Sequence, residues 1–322
     1  MKNYVLKRVL VSIFVLFGVS ILLYGLVRSM PGDYVQNATA GNPKITQEMR
    51  DNMRHVYGLD TGVVEGYVKW AKEAIKGNLG DSFVFSKPVT EVIGSKLWSS
   101  FALSATAFVI QIMLAIPLGI LSATKQYSKL DYTLTTFAMI GISVPSFFLA
   151  AILQRIFAVG LGWLPLSGMV TAREDYEGFR LFLDMGWHYI LPIIVLAIVT
   201  TGSLMRYTRT NMLEVLNADY IRTARAKGLS EHKVVYTHAF RNTLIPIITL
   251  LGGMLPSLFA GSMITETVFA IDGIGYTAFN CLKQGDIPLV MGFNMFLAIL
   301  TLLGTLISDI LYAVVDPRVR YK

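Results

Sequence analysis

The run Val9–Val27, VLVSIFVLFGVSILLYGLV, contains no charged residue. A helix needs about 20 mostly apolar residues to cross a hydrocarbon core of roughly 30 Å. In water such a surface would aggregate, whereas in lipid a helix satisfies its backbone hydrogen bonds within its own segment. The run is too long for a secretory signal, and no small-residue cleavage site follows it, so it reads as a retained span. Five further runs behave alike: Phe101–Ala123, Tyr132–Phe157, Tyr189–Met205, Leu244–Ile264 and Leu289–Tyr312. The expected fold is an all-α membrane protein with six transmembrane helices.

The composition agrees. Apolar residues make up 54% of the chain and charged residues only 15%, against about 25% charged in soluble proteins. The one cysteine, Cys281, excludes an internal disulfide framework and any cysteine-rich metal site. The net charge of +7 could point to nucleic acid, so its distribution matters. Lys2, Lys7 and Arg8 precede the first run, and Lys125 and Lys129 lie in the turn after the second. Arg206, Arg209, Arg222, Arg225, Lys227, Lys233 and Arg241 fill the loop between the fourth and fifth, and Arg318, Arg320 and Lys322 end the chain. The two short loops on the other face carry only Arg155, Arg173, Arg180 and Lys283. The positive-inside rule then places both termini in the cytoplasm. The excess charge is a topology signal rather than a nucleic-acid patch.

Three domains follow from this pattern. Residues 1–29 hold the first span. Residues 30–100, mixed in charge and carrying Tyr57, Tyr67, Trp70, Phe83 and Phe85, read as a folded extracytoplasmic cap. Residues 101–322 form a core of five spans with a cytoplasmic loop at 206–243. Pro117, Pro145, Pro192, Pro246 and Pro256 fall inside the runs and predict kinks. Glycines such as Gly141 and the Gly252-Gly253 pair allow close helix approach. Polar residues within the runs are few: Gln111, Asn294 and Asp309, the last near the cytoplasmic end. A transporter driven by protons or sodium needs ionisable groups near mid-membrane. Their scarcity points to an energy source outside this chain.

The most informative segment is the loop stretch Glu214–Pro246, EVLNADYIRTARAKGLSEHKVVYTHAFRNTLIP. It reads as two short helices joined at Gly228, which suits the left-handed conformation that ends a helix. Arg222, Arg225 and Lys227 favour the negative end of the first helix dipole. Ser230 is placed to cap the second, with Glu231 in its first turn. Ala224 and Ala226 keep one side low, so that a partner protein can approach. The spacing also matches a DNA-binding helix-turn-helix, but spans begin too close on either side for entry into a major groove. A cytoplasmic knob that docks into a partner is the reading that remains.

No Gly-x-x-x-x-Gly-Lys-Ser/Thr loop occurs, so the chain is not itself an ATPase. His55, His188, His232 and His238 show no ligand spacing, and neither a Gly-x-Ser-x-Gly elbow nor a His-Glu-x-x-His helix marks a hydrolase. The expectation is therefore no catalytic, cofactor-binding or metal-binding residue.

The loop resembles the cytoplasmic loop of ABC importer permeases in the form found in the oligopeptide/dipeptide permease family. The resemblance is carried by Glu214, Leu216, Tyr220, Ala224–Glu231, His238, Arg241, Asn242 and Leu244–Pro246. It extends to Pro31-Gly32-Asp33, Tyr57-Gly58-Leu59-Asp60, Asn78-Leu79-Gly80-Asp81-Ser82 and Asp316-Pro317-Arg318, and so over nearly the whole chain. Two departures stand out. Arg222, Thr223 and Ala224 replace the Glu-Ala-Ala start known from other importers, and Asp272-Gly273 stands where many relatives have Pro-Gly. The resemblance implies a heteromeric peptide importer with a second homologous permease, two ATPase subunits that bind ATP and Mg, and an extracytoplasmic substrate-binding protein. It assigns the ATPase contact to Ala224, Arg225, Ala226, Lys227, Gly228, Leu229, Ser230 and Glu231. Members of the same family that move nickel, metal–chelator complexes or glutathione are the alternative; an intramembrane enzyme or a membrane scaffold is more distant.

Overall fold

A computed structural model of the chain describes residues 2–42 and 44–315, with side chains described over 7–42 and 44–306. The side chains of Lys2 and Asp309, and all of Asp316-Pro317-Arg318, Arg320 and Lys322, lie outside the described residues. The described chain is helical, with one isolated bridge between Asp81 and Pro88. It falls into two compact units, one of residues 1–100, 259–263 and 272–306, the other including 101–258 and 264–271.

The first unit opens with α1 (Lys2–Arg28), the helix of the uncharged run. Three short helices follow: α2 (Tyr34–Thr39), α3 (Gln47–Val56) and α4 (Val63–Ile75). Asp33 caps α2 by accepting from the Gln36 N–H at 2.7 Å, and Thr46 caps α3 through Met49 at 3.3 Å. The Arg28 guanidinium ties the end of α1 to this segment by donating to the carbonyls of Leu59 and Thr61. Tyr24 meets Tyr67 and Trp70 in an aromatic cluster. Val89, Val92 and Ile93, in the first turns of α5 (Val89–Thr124), share a core with α14 (Ile274–Gln284) and α15 (Ile287–Val315). Residues 30–100 thus pack on late parts of the chain rather than standing as a separate lobe. Buried Asp286 anchors the arrangement, accepting from Ser82 Oγ and from the N–H groups of Val84 and Leu289.

In the second unit the long helices are α5 and α8 (Gly178–Leu216). Between them lie α6 (Lys129–Ser143) and α7 (Ser146–Leu153), the latter continued by a wide π turn at Gln154–Gly160. Pro117, Pro192 and Pro246 sit inside helices as expected. Pro145 instead ends one: α6 and the helix after it meet at a bend of 103°. Among the described residues, five helices are long and apolar enough to cross a membrane, six when this bent pair is one span. The third expected span is therefore broken rather than kinked, because Val144 adopts the extended conformation that a following proline favours. Past α9 (Asp219–Ala226) and α10 (Glu231–Lys233), a second π turn at Val234–Phe240 leads into α11 (Arg241–Met254). The fifth expected span lies within the run 231–268, which counts as one crossing and is interrupted by short turns between α11, α12 (Ser257–Ala260) and α13 (Met263–Val268).

Close packing explains specific glycines. A Cβ on Gly119 of α5 would lie 2.8 Å from the Met205 carbonyl oxygen of α8. One on Gly202 of α8 would meet the Ala138 carbonyl oxygen of α6. Small residues let these apolar helices approach where burial in water supplies no driving force. Gln111 is buried and donates to the Thr200 carbonyl at 3.1 Å, and Asn294 returns a hydrogen bond to Val290 within its own helix. Two further buried acids lie just beyond the apolar runs. Asp131 belongs to α6 and Glu266 to α13, both buried, because the helices extend beyond the apolar runs that flagged them.

Candidate functional site: the loop turn

Helix α8 does not stop where its apolar run ends. It continues through Arg206 and Arg209 to Leu216, where Asn217 turns its side chain back to the Leu213 carbonyl. The connection expected over 206–243 is therefore helical at both ends, and its non-helical part is short. α9 then packs Ile221 and Ala224 into a core made by Met212 of α8, by Ile120 and Ala123 of α5, and by Val234, Val235 and Ala239.

Gly228 ends α9 at φ +77° with open space around its Cβ position, so the requirement there is conformational rather than steric. Its N–H donates to the Arg225 carbonyl at 2.9 Å and that of Leu229 to Ala224 at 3.4 Å. Leu229 then folds its side chain onto the apolar core beside Ala224. These paired bonds and this hydrophobic contact are the Schellman ending of a helix. Ser230 takes the extended backbone of an N-cap, but its side chain caps nothing. The turn is closed instead by a fork. Arg225 Nε and Nη2 donate to the two Glu231 carboxylate oxygens at 3.1 and 2.7 Å, which raises the Arg225 pKa above its ordinary value.

Of the eight residues expected at the partner contact, Arg225, Ala226, Lys227, Gly228, Ser230 and Glu231 are exposed. Ala224 is buried and Leu229 half-buried, both turned inward. The low side attributed to Ala224 is thus a packing surface: the small residue lets α9 sit close on α8 and α5. Exposed Tyr220 and Tyr236 flank the turn, with the His232 ring tilted against that of Tyr236 at 4.7 Å between centroids.

Sequence reasoning missed the polar cluster beside this seat. Arg209 of α8 donates Nε to Asp131 Oδ1 at 2.9 Å and Nη2 to Oδ2 at 2.8 Å. Ser122 of α5 hydrogen-bonds the same carboxylate, and the Tyr127 N–H donates to it at 3.0 Å. Ser128 caps α6 through Asp131 N–H. The detectable signal was Ser128 three residues before Asp131, an N-cap pattern that starts the helix earlier than its apolar run. Among the residues whose side chains are described, no group of three His, Cys, Asp or Glu could hold a metal ion.

Residues 115–321 match the family model described as the binding-protein-dependent transport system inner membrane component. The chain belongs to this family. The permease is 40% identical over its full length to the oligopeptide transport system permease protein AppB of Bacillus subtilis, which it also covers in full. It is 35% identical to the di/tripeptide transport system permease protein DppB of Pseudomonas aeruginosa, again over the whole of both chains. Its fold is similar to a chain in a structure of the MetNI methionine ABC transporter, with a TM-score of 0.52 at 17% identity, covering 70% of the permease and 97% of that chain. The permease is a multi-pass membrane component of an ABC transport system and not an enzyme.

Proposed function

We propose that the permease forms half of the translocation pathway of an ATP-driven importer of di- and oligopeptides. The observation that carries this is full-length identity at 40% and 35% to an oligopeptide and a di/tripeptide permease. A second homologous permease completes the pathway. Two ATPase subunits, which hold ATP and Mg, act from the cytoplasm, and an extracytoplasmic binding protein delivers the peptide. Both termini and the 217–230 turn face the cytoplasm, a reading supported by the asymmetry of Lys and Arg between the faces. The exposed face around Arg225, Lys227, Gly228 and Glu231 seats in a groove of one ATPase. A short helix ended by paired backbone bonds and a carboxylate fork is stiff enough to carry displacement into α8 and α11.

The test is reconstitution of the permease with its partner subunits in liposomes, following labelled peptide. ATP-dependent peptide uptake that requires the binding protein is expected. Uptake of a nickel complex or glutathione in preference to peptide would contradict the substrate class, and uptake without ATPase subunits would contradict the mechanism.

A further inference from the structure

The carboxylate of Asp131 holds three helices at one point. Arg209 comes from α8, Ser122 from α5, and Asp131 itself from the first turn of α6. The same carboxylate accepts the N–H of Tyr127, whose φ of +61° is a left-handed conformation uncommon outside glycine. It therefore fixes the shape of the α5–α6 turn as well as the tie to α8. The next turn of α8 carries Met212 and Leu213, and α5 carries Ile120 and Ala123; together they are the apolar seat of α9. Polar clip and apolar seat thus adjoin on the same two helices, in successive turns of α8 and within one turn of α5, where Ser122 lies between Ile120 and Ala123.

We infer that Asp131 and Arg209 are positioning residues of the transport cycle, clamping α5, α6 and α8 into one body so that displacement of the 224–231 turn moves three helices together. The inference rests on the coupling role proposed above. Without the clip, α9 would still find its apolar seat through Ile221 and Ala224. The seat itself could then shear, since apolar contacts alone are non-directional, and a bidentate charged fork fixes orientation as well as distance. Motion at the turn would be absorbed locally.

The experiment compares wild type, Asp131→Asn and Arg209→Lys in the reconstituted complex. Asparagine keeps the shape and one acceptor but loses the charge; lysine keeps the charge and loses the fork. Assembled complex, ATP hydrolysis and peptide uptake are measured together, and uptake per ATP is the readout, since a merely structural role leaves it unchanged. Asp131→Asn is expected to lower uptake per ATP about tenfold, a typical coupling effect, with Arg209→Lys intermediate. An unchanged ratio in both variants, including one where uptake falls only in step with the amount of complex, would overturn the inference. So would failure of both variants to assemble, since the pair would then be needed for folding. A wild-type complex that hydrolyses ATP but moves no peptide would instead refute the proposed substrate and leave the clip to be read on the transported solute.

Discussion

Two arginine–carboxylate forks lie near the start and end of the same short path, and they differ in everything but chemistry. Arg225 and Glu231 meet at the exposed turn, with side chains 44% and 63% exposed. Arg209 and Asp131 meet under it at 22% and 3%. Both are bidentate. At the turn, water competes for both partners, so the pair shapes a surface at little energetic consequence. Beneath it, each charge depends on the other, and removing one strands its partner. A surface meant to dock can be adjustable, whereas the body it pushes has to keep its orientation.

The largest effect is expected at the buried fork. Asp131→Ala removes the countercharge of Arg209, whose Nε keeps Ser122 Oγ as acceptor at 3.1 Å, leaves the Tyr127 N–H without its acceptor, and should destabilise the protein by about 3–5 kcal/mol, read as denaturant unfolding in detergent. A loss similar to that at the surface pair would erase the distinction. Next comes Gly119→Val, which forces a Cβ against the Met205 carbonyl oxygen and a branched side chain against Thr208. Overpacking of this kind should cost about 1–3 kcal/mol, visible in the same assay.

Gly228→Val probes the turn without steric conflict, since nothing lies within 4 Å of its Cβ position. The left-handed backbone should cost about 1–2 kcal/mol, confined to the turn. Insertion should therefore persist while ATP-driven uptake is lost, and Gly228→Asn should retain part of it. Smallest is Arg225→Ala, which should change stability by about 0–1 kcal/mol. A larger loss of stability there would mean that the exposed fork, too, is structural.

Much of the fold was legible because bilayer thickness imposes a length on apolar runs that Val9–Val27 and its successors display directly. Gly228 was legible as well, since a glycine after a basic helical turn has one common use. What escaped was set by tertiary contact. Pro145 was expected to kink a helix, and only its packing environment decides between a kink and the break that occurs. Ser230 had the right residue type for a cap, but the Arg225–Glu231 fork closes the turn in its place. Ala224 looked exposed because its small size is compatible with either a docking face or a tight seat. Asp131 and Arg209 stand 78 residues apart, each in what seemed a solvated loop, and no periodicity joins them.

The most direct measurement is thiol labelling of Ser230→Cys from each face of the membrane with an impermeant reagent; the native Cys281 is buried. The coupling role predicts silence in intact cells, labelling in inside-out vesicles, and protection there by bound ATPase subunits. Labelling of Cys at position 230 from outside intact cells would contradict it.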